Sequence, residues 1–127
     1  QKVLDETRER DYDHDWFSAN TIYTTYAAAP KFGEEKAETP QYIWLRVAIE
    51  FYHEMGVEQV IQCYHELSLG YYTPASPTIF NAGFVENQMA SCFLLTIGDD
   101  LESILKDGIY RAGMISRRSG GLGIDVS

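Results

Sequence analysis

Apolar residues recur along this 127-residue chain in three rhythms. From Gln41 to Met55 they crowd almost every position. Ile43, Trp44, Leu45, Val47, Ala48, Ile49, Phe51 and Tyr52 cover most of a helical circumference, which predicts a largely buried helix. Thr39 suits its N-cap and Pro40 its first position, and Gly56 suits a stop. From Val57 the pattern narrows to one stripe, Val57, Val60, Ile61, Tyr64, Leu67 and Tyr71, a second helix ending at Gly70 and meeting the first at an angle. From Ala90 to Ile97 the rhythm changes again. Ala-Ser-Cys-Phe-Leu-Leu-Thr-Ile is a near-continuous apolar run with breakers on both sides, the pattern of a buried strand.

The remaining segments follow from weaker signals. Residues 1–10 are polar and helix-permissive, anchored by Val3 and Leu4, and Asp11 to Asp15 reads as an acidic turn. Trp16 to Ala29 carries Trp16, Phe17, Ile22, Tyr23 and Tyr26 at the spacing of a short helix or turn packed on a core. Residues 30–38 form a polar loop. No helix can continue through Tyr72-Thr-Pro-Ala-Ser-Pro77. Asp99-Asp100 caps a third helix, with Asp99 and Glu102 in the arrangement of a capping box. Leu101, Ile104, Leu105, Gly108, Ile109, Ala112 and Ile115 form its apolar stripe. Gly108 and Gly113 weaken it or let another helix approach closely. Arg117 and Arg118 suit its negative C-terminal end. Ser119-Gly-Gly-Leu-Gly123 then turns the chain into a second strand. Strand, helix and strand make a βαβ-like unit whose sheet is unfinished within these residues, and a piece of something longer is expected.

Composition narrows the function classes. A net charge of −9 argues against general nucleic-acid binding, leaving Arg117-Arg118 as the one local basic spot. Two cysteines, Cys63 and Cys92, make neither a disulfide framework nor a metal cluster. His14, His53 and His65 have no partner at zinc-like spacing. A reducing, cytoplasmic compartment is expected. No apolar run is long enough to span a membrane, and no signal-peptide pattern precedes the charged N-terminus.

Thr73-Pro-Ala-Ser-Pro-Thr-Ile-Phe-Asn-Ala-Gly83 and the cysteine that follows at Cys92 concentrate the candidate chemistry. A lone cysteine in an apolar strand is most often an inert core residue; the alternative is a thiol for redox or radical chemistry, with Ser91 as a hydrogen-bonding neighbour. Hydroxyls beside prolines, here Ser76 and Thr78, usually cap turns. Asp100 reads first as a cap, Arg117 as a solvated helix end, and Cys63 has no evident role. The glycines at 120–123 follow a helix and precede a strand, the wrong order for a dinucleotide fingerprint, and no P-loop lysine is present. Their backbone N–H groups could still approach an anion.

Taken in order, these stretches resemble one family. The proline-rich stretch, then Gln88-Met-Ala-Ser-Cys-Phe-Leu-Leu95, Asp99-Asp100 and Ile115-Ser-Arg-Arg-Ser-Gly-Gly-Leu-Gly-Ile-Asp-Val-Ser127 are similar to the large catalytic subunit of class I ribonucleotide reductase. Glu38-Thr-Pro-Gln41 and Arg46-Val47-Ala48 fit as well. The resemblance implies a mainly α chain: an all-α N-terminal region over 1–73, then, over 74–127, the first strands and helix of an incomplete ten-stranded α/β barrel. It implies reduction of ribonucleotides to deoxyribonucleotides by radical chemistry, with Cys92 as one of a redox-active cysteine pair that closes to a disulfide. Ser76, Ser91, Ser119, Gly120 and Gly121 match substrate-binding positions. Asp100, Leu101, Glu102 and Arg117 match an effector site for a deoxynucleoside triphosphate or ATP. No cofactor would be bound directly by this segment; a separate metal-containing small subunit would supply the radical. The other implied partners are the C-terminal remainder of the large subunit, a second large subunit paired through the helix at 101–118, and a thioredoxin or glutaredoxin system, with no nucleic acid and no membrane. The radical cysteine, the second redox cysteine and the ATP-binding cone are expected outside this chain. Phe84-Val-Glu-Asn87 replaces a proline-containing loop of the family, and Met89-Ala90 a commoner Leu-Ser.

Two further readings stay open beside an active reductase piece: a non-catalytic remnant acting through its uncovered faces, and a simple nucleotide-binding module.

Overall fold

Helices α3 (Pro40–Tyr52) and α4 (Val57–Ser68) form the centre of the molecule in a computed structural model that describes residues 2–29, 33–85, 87–118 and 120–126. Ile43, Trp44, Val47 and Ala48 of α3 meet Val60, Cys63, Tyr64 and Leu67 of α4 in the core. Gly56 makes the one-residue break between the short 3₁₀ turn that ends α3 and the start of α4. Its φ of +108° lies where a side chain would be strained. Thr39 is the N-cap residue of α3, but its side chain makes no capping bond. Asp11 supplies one instead from 30 residues earlier, accepting the Gln41 N–H at 3.0 Å.

The N-terminal elements cover one side of this pair. Helix α1 (Lys2–Thr7) runs into a 3₁₀ turn (Arg8–Tyr12) and buries Leu4 and Thr7. Helix α2 (Trp16–Thr21) opens on Asp15, whose carboxylate accepts the Ser18 N–H at 2.7 Å and is held below the usual range by that bond. It continues as a π turn, Ile22–Tyr26, that packs on the core. A short helix, α5 (Ser76–Asn81), follows α4, with Pro77 in its first turn and Thr78 and Ile79 buried.

The second layer is a parallel pair. Strand β1 (Cys92–Thr96) pairs with β2 (Gly121–Asp125) in the register Cys92 to Gly121 through Thr96 to Asp125. The crossover is α6, a continuous helix over 101–116 that is α-helical at Leu101–Ser103, π-helical at Ile104–Arg111 and α-helical again at Ala112–Ser116. The expected βαβ unit is therefore present, and the described residues are mainly helical with one small sheet among them.

Several expectations need correction. Helix α3 is amphipathic rather than largely buried: Tyr42, Ile49 and Phe51 are exposed, because α4 covers one side only. Trp16 and Phe17 are exposed, and α2 reaches the core through Ile22 and Tyr26 instead. The stripe of α4 is buried only in its middle, since Val57 and Tyr71 are exposed, while Cys63 joins the core. Strand β1 is not buried on both faces. Burial alternates along it, and Leu94 is 90% exposed, because α6 covers only the face that carries Phe93. Asp100, not Asp99, caps α6 by accepting the Ser103 N–H, and the Ser103 hydroxyl accepts the Gly98 N–H, in place of the expected pairing of Asp99 with Glu102. Most of the α6 stripe, including Leu101, Leu105 and Ile109, faces outward. Helix α5 is an addition to the expected elements. Its Ser-Pro start is a helix-opening signal, but six residues are too few for periodicity to register.

Candidate functional site

The two strands begin side by side, and that shared end carries four of the expected site residues. Gly121 stands opposite Cys92, and its N–H donates to the Ser91 carbonyl oxygen at 2.8 Å. Gly120 donates its N–H to the Ile115 carbonyl oxygen at 3.2 Å, which anchors the turn to the end of α6. A Cβ at Gly120 would lie 2.6 Å from Ile115 Cγ2 and 2.9 Å from Phe93 Cε2, so glycine alone lets the turn close on the sheet. The Cys92 thiol is free and exposed on the sheet's open face. Ser91 is half-buried beside it. Ser119 lies outside the described residues.

Ser76 opens α5 and is not drawn into that strand end by any of its hydrogen bonds. Its hydroxyl lies 3.0 Å from the Tyr26 hydroxyl at the start of the helix. Farther along, Thr78 donates to the Met89 carbonyl oxygen at 3.1 Å and Asn81 to that of Gln88 at 2.8 Å. Two side chains of α5 thus hold the segment that leads into Ser91 and Cys92. Ser76 also lines a cleft of about 720 Å³ whose walls include Arg10, His14, Phe17, Tyr26 and Trp44, a size that suits a small organic ligand.

The four expected effector residues are divided between the two ends of α6. Asp100 accepts the Ser103 N–H at 2.9 Å, and the Ser103 hydroxyl accepts the Gly98 N–H at 2.8 Å. Leu101 and Glu102 are exposed at the same end, Glu102 facing Lys106 across 3.9 Å. Arg117 is exposed at the far end, where the chain turns back toward β2. The whole length of α6 separates them, roughly 20 Å at about 1.5 Å per residue or less. A single copy of the chain does not bring them together.

One group escapes sequence reasoning as a site. Glu38 and Arg46 form a largely buried ion pair at 2.7 Å that touches α5. The available signal is a basic residue in the middle of an apolar helix, eight positions after an acidic one. Among the described residues no cluster of three or more His, Cys, Asp or Glu could hold a metal ion, and no helix is long and apolar enough to cross a membrane.

An all-helical layer followed by a parallel βαβ unit that opens on a serine–cysteine pair defines an α-to-α/β chain with a thiol at the leading edge of its sheet. Residues 12–87 match the family described as the ribonucleotide reductase all-alpha domain. The ribonucleoside-diphosphate reductase large subunit of Monkeypox virus is 37% identical over 94% of this chain and 15% of that protein. Large chain 2 of Saccharomyces cerevisiae is 37% identical over 94% of the chain and 13% of that protein. The large subunit of Arabidopsis thaliana is 36% identical over 93% of the chain and 14% of that protein. The chain belongs to the ribonucleotide reductase large-subunit family, and it spans only about 15% of the length of such relatives.

Proposed function

We propose that this chain is a working part of a ribonucleoside-diphosphate reductase large subunit, which reduces ribonucleotides to deoxyribonucleotides for DNA synthesis. The observation that carries the reading is the exposed Cys92 thiol opposite Gly121, in a segment alike in sequence to reductase large subunits. In the proposed net step a ribonucleotide gains two electrons and two protons from a pair of thiols. The 2′-hydroxyl leaves as water, and the thiols close to a disulfide. Cys92 supplies one thiol, and a further portion of the subunit supplies the second. Ser76, Ser91, Ser119, Gly120 and Gly121 line the substrate side. The two glycines admit a ribose or phosphate close to the backbone. Residues 74–127 would open a ten-stranded barrel whose other strands cover the bare face of β1. A separate metal-containing small subunit would deliver the radical, and thioredoxin or glutaredoxin would reopen the disulfide.

The effector assignment needs two copies. In a two-fold pair of antiparallel α6 helices, the Asp100–Glu102 end of one copy meets the Arg117 end of the other. The exposed stripe of α6 supplies an apolar face for that pairing. A deoxynucleoside triphosphate bound between copies would then report on pairing as well as on specificity.

Mixing the chain with the remaining segment of a large subunit and a small subunit, then measuring deoxyribonucleotide formation, tests this. Activity in the mixture that disappears in Cys92→Ser supports it. An associated but inactive mixture sinks it. A second reading, a non-catalytic interaction module, is favoured by the exposed apolar residues Leu94, Leu101, Leu105 and Ile109. It requires Cys92→Ser to leave partner binding and biological effect unchanged.

A further inference from the structure

Arg46 makes four hydrogen bonds from one guanidinium. Its side chain is 13% exposed and that of Glu38 18%. Nε donates to Glu38 Oε1 at 2.7 Å and Nη2 to Oε2 at 3.0 Å, a two-point fork. Nη1 donates to the carbonyl oxygens of Ile79 at 3.1 Å and Ala82 at 2.6 Å. Those carbonyls belong to the C-terminal end of α5, where a helix leaves acceptors without internal partners. The guanidinium also lies 4.8 Å from the ring centroid of Phe84. Gly83, at φ +78°, packs so tightly that a Cβ there would sit 2.8 Å from Arg46 Cγ. Glu38 Oε2 in turn accepts the Ala28 N–H at 2.9 Å. One ion pair therefore ties the segment at Ala28, helix α3 and the end of α5.

A six-residue helix has little intrinsic stability, so outside contacts set its position. Tyr26 meets its first residue, Ser76. Arg46 caps its last turn. Between them Thr78 and Asn81 hold the carbonyls of Met89 and Gln88, just before Ser91 and Cys92. We propose that Arg46, fixed by Glu38, is a positioning residue that sets α5, and through it Ser76 and the Ser91–Cys92 edge. This rests on reading those three residues as facing substrate. The role needs a planar fork that reaches a carboxylate on one side and two carbonyls on the other. Lysine, a point charge, cannot span both.

Hydrogen exchange on the full chain tests the proposal with Arg46→Lys and Glu38→Gln, each close in shape to the residue replaced. Amides over 76–81 and 88–96 should exchange about tenfold faster or more, while those of α4 stay within about twofold. Equal acceleration in α4 means an ordinary stabilising ion pair and overturns the proposal, as does unchanged exchange over 76–96. In the reconstituted reductase, both variants should lower kcat/KM by about tenfold or more at saturating partner segment, since small misplacements are costly in catalysis. Full activity in Arg46→Lys would overturn the role. A wild-type mixture without activity removes the reductase reading alone, and the exchange pattern then decides the positioning.

Discussion

Cys92 and Gly121 face each other across the parallel register, and the thiol's freedom depends on what the glycine lacks. A Cβ at Gly121 would sit 3.8 Å from Cys92 Sγ and 3.3 Å from the Ser91 carbonyl oxygen. The first distance is ordinary contact and the second is tight. A branched side chain there would shield the sulfur and press on the backbone that carries it. Gly121→Val is expected to slow alkylation of Cys92 by iodoacetamide several-fold without unfolding the chain. An unchanged rate in a folded variant would mean that reagent reaches the thiol entirely from the other side.

The two cysteines should separate cleanly by accessibility. Cys92 is exposed, while Cys63 is 3% exposed in the core. One thiol should react with a disulfide reagent under native conditions and two in denaturant, as counted by mass spectrometry. Fast modification of both in the native chain would contradict the packing of α3 on α4.

Cys63 also predicts an alkaline weakness. Burial pushes its thiol above the ordinary 9.0, a rise partly offset by the hydrogen bond with the Tyr72 hydroxyl at 3.3 Å and supported by nearby Glu66. Tyr72 is pushed up as well, first by burial and then by Cys63. Below the unfolded pKa both states keep the proton, and the contribution to stability is whole. Above it the unfolded chain ionises first and binds fewer protons, so stability falls as pH rises toward the folded pKa. The urea midpoint should therefore drop between about pH 9 and about pH 11, and drop less in the Cys63→Ala, Tyr72→Phe double variant. Equal drops would assign the effect to other groups.

What is legible in the sequence is decided by length and by what lies on the far side of each element. Helices α3 and α4 are long enough for their periodicity to be read, and Gly56 and Gly70 mark real ends. Helix α5 is too short to show a period, and its position comes from Arg46 and Tyr26, both remote in sequence, and from the strand approach that follows it. The apolar run at 90–97 is legible as a strand. Its bare outer face is not, since hydrophobicity tells which surface wants cover and not whether these residues supply it. Ser91, Cys92, Gly120 and Gly121 stand out as separate motifs, and the parallel register brings them together. The expected effector set cannot be judged from sequence, because only the continuous run of α6 shows how far apart its members stand.

Three glycines on or after α6 should respond differently to alanine. A methyl at Gly113 would meet nothing within 4 Å, so Gly113→Ala should stabilise by about 0.5–1 kcal/mol through helix propensity. Gly108 would place its methyl 2.9 Å from Ile97 Cδ1, the mobile end of a side chain, so the propensity gain of about 1 kcal/mol is largely offset. Gly120 would drive a methyl into Ile115 and the Phe93 ring at once, costing about 1–3 kcal/mol. Chemical denaturation of the three variants should give that order. Gly120→Ala as stable as Gly113→Ala would refute the close approach of the turn to the sheet.

Tyr64 joins α4 to both α1 and α3 through one buried hydroxyl. It donates to Gln41 Oε1 at 2.8 Å and meets the Thr7 hydroxyl closely. Neither partner depends on it alone. Ser68 also donates to Gln41 Oε1 at 2.7 Å, and Thr7 donates to the Val3 carbonyl oxygen at 2.7 Å. Tyr64→Phe therefore removes a bond without orphaning an acceptor, and should cost about 1 kcal/mol. Tyr64→Ala also empties the space of a fully buried ring, and should cost about 3–5 kcal/mol. The two values, from urea midpoints at constant m, separate the hydroxyl from the ring. If Tyr64→Phe were as damaging as Tyr64→Ala, the hydroxyl rather than the ring would be what holds α1 and α3 to α4.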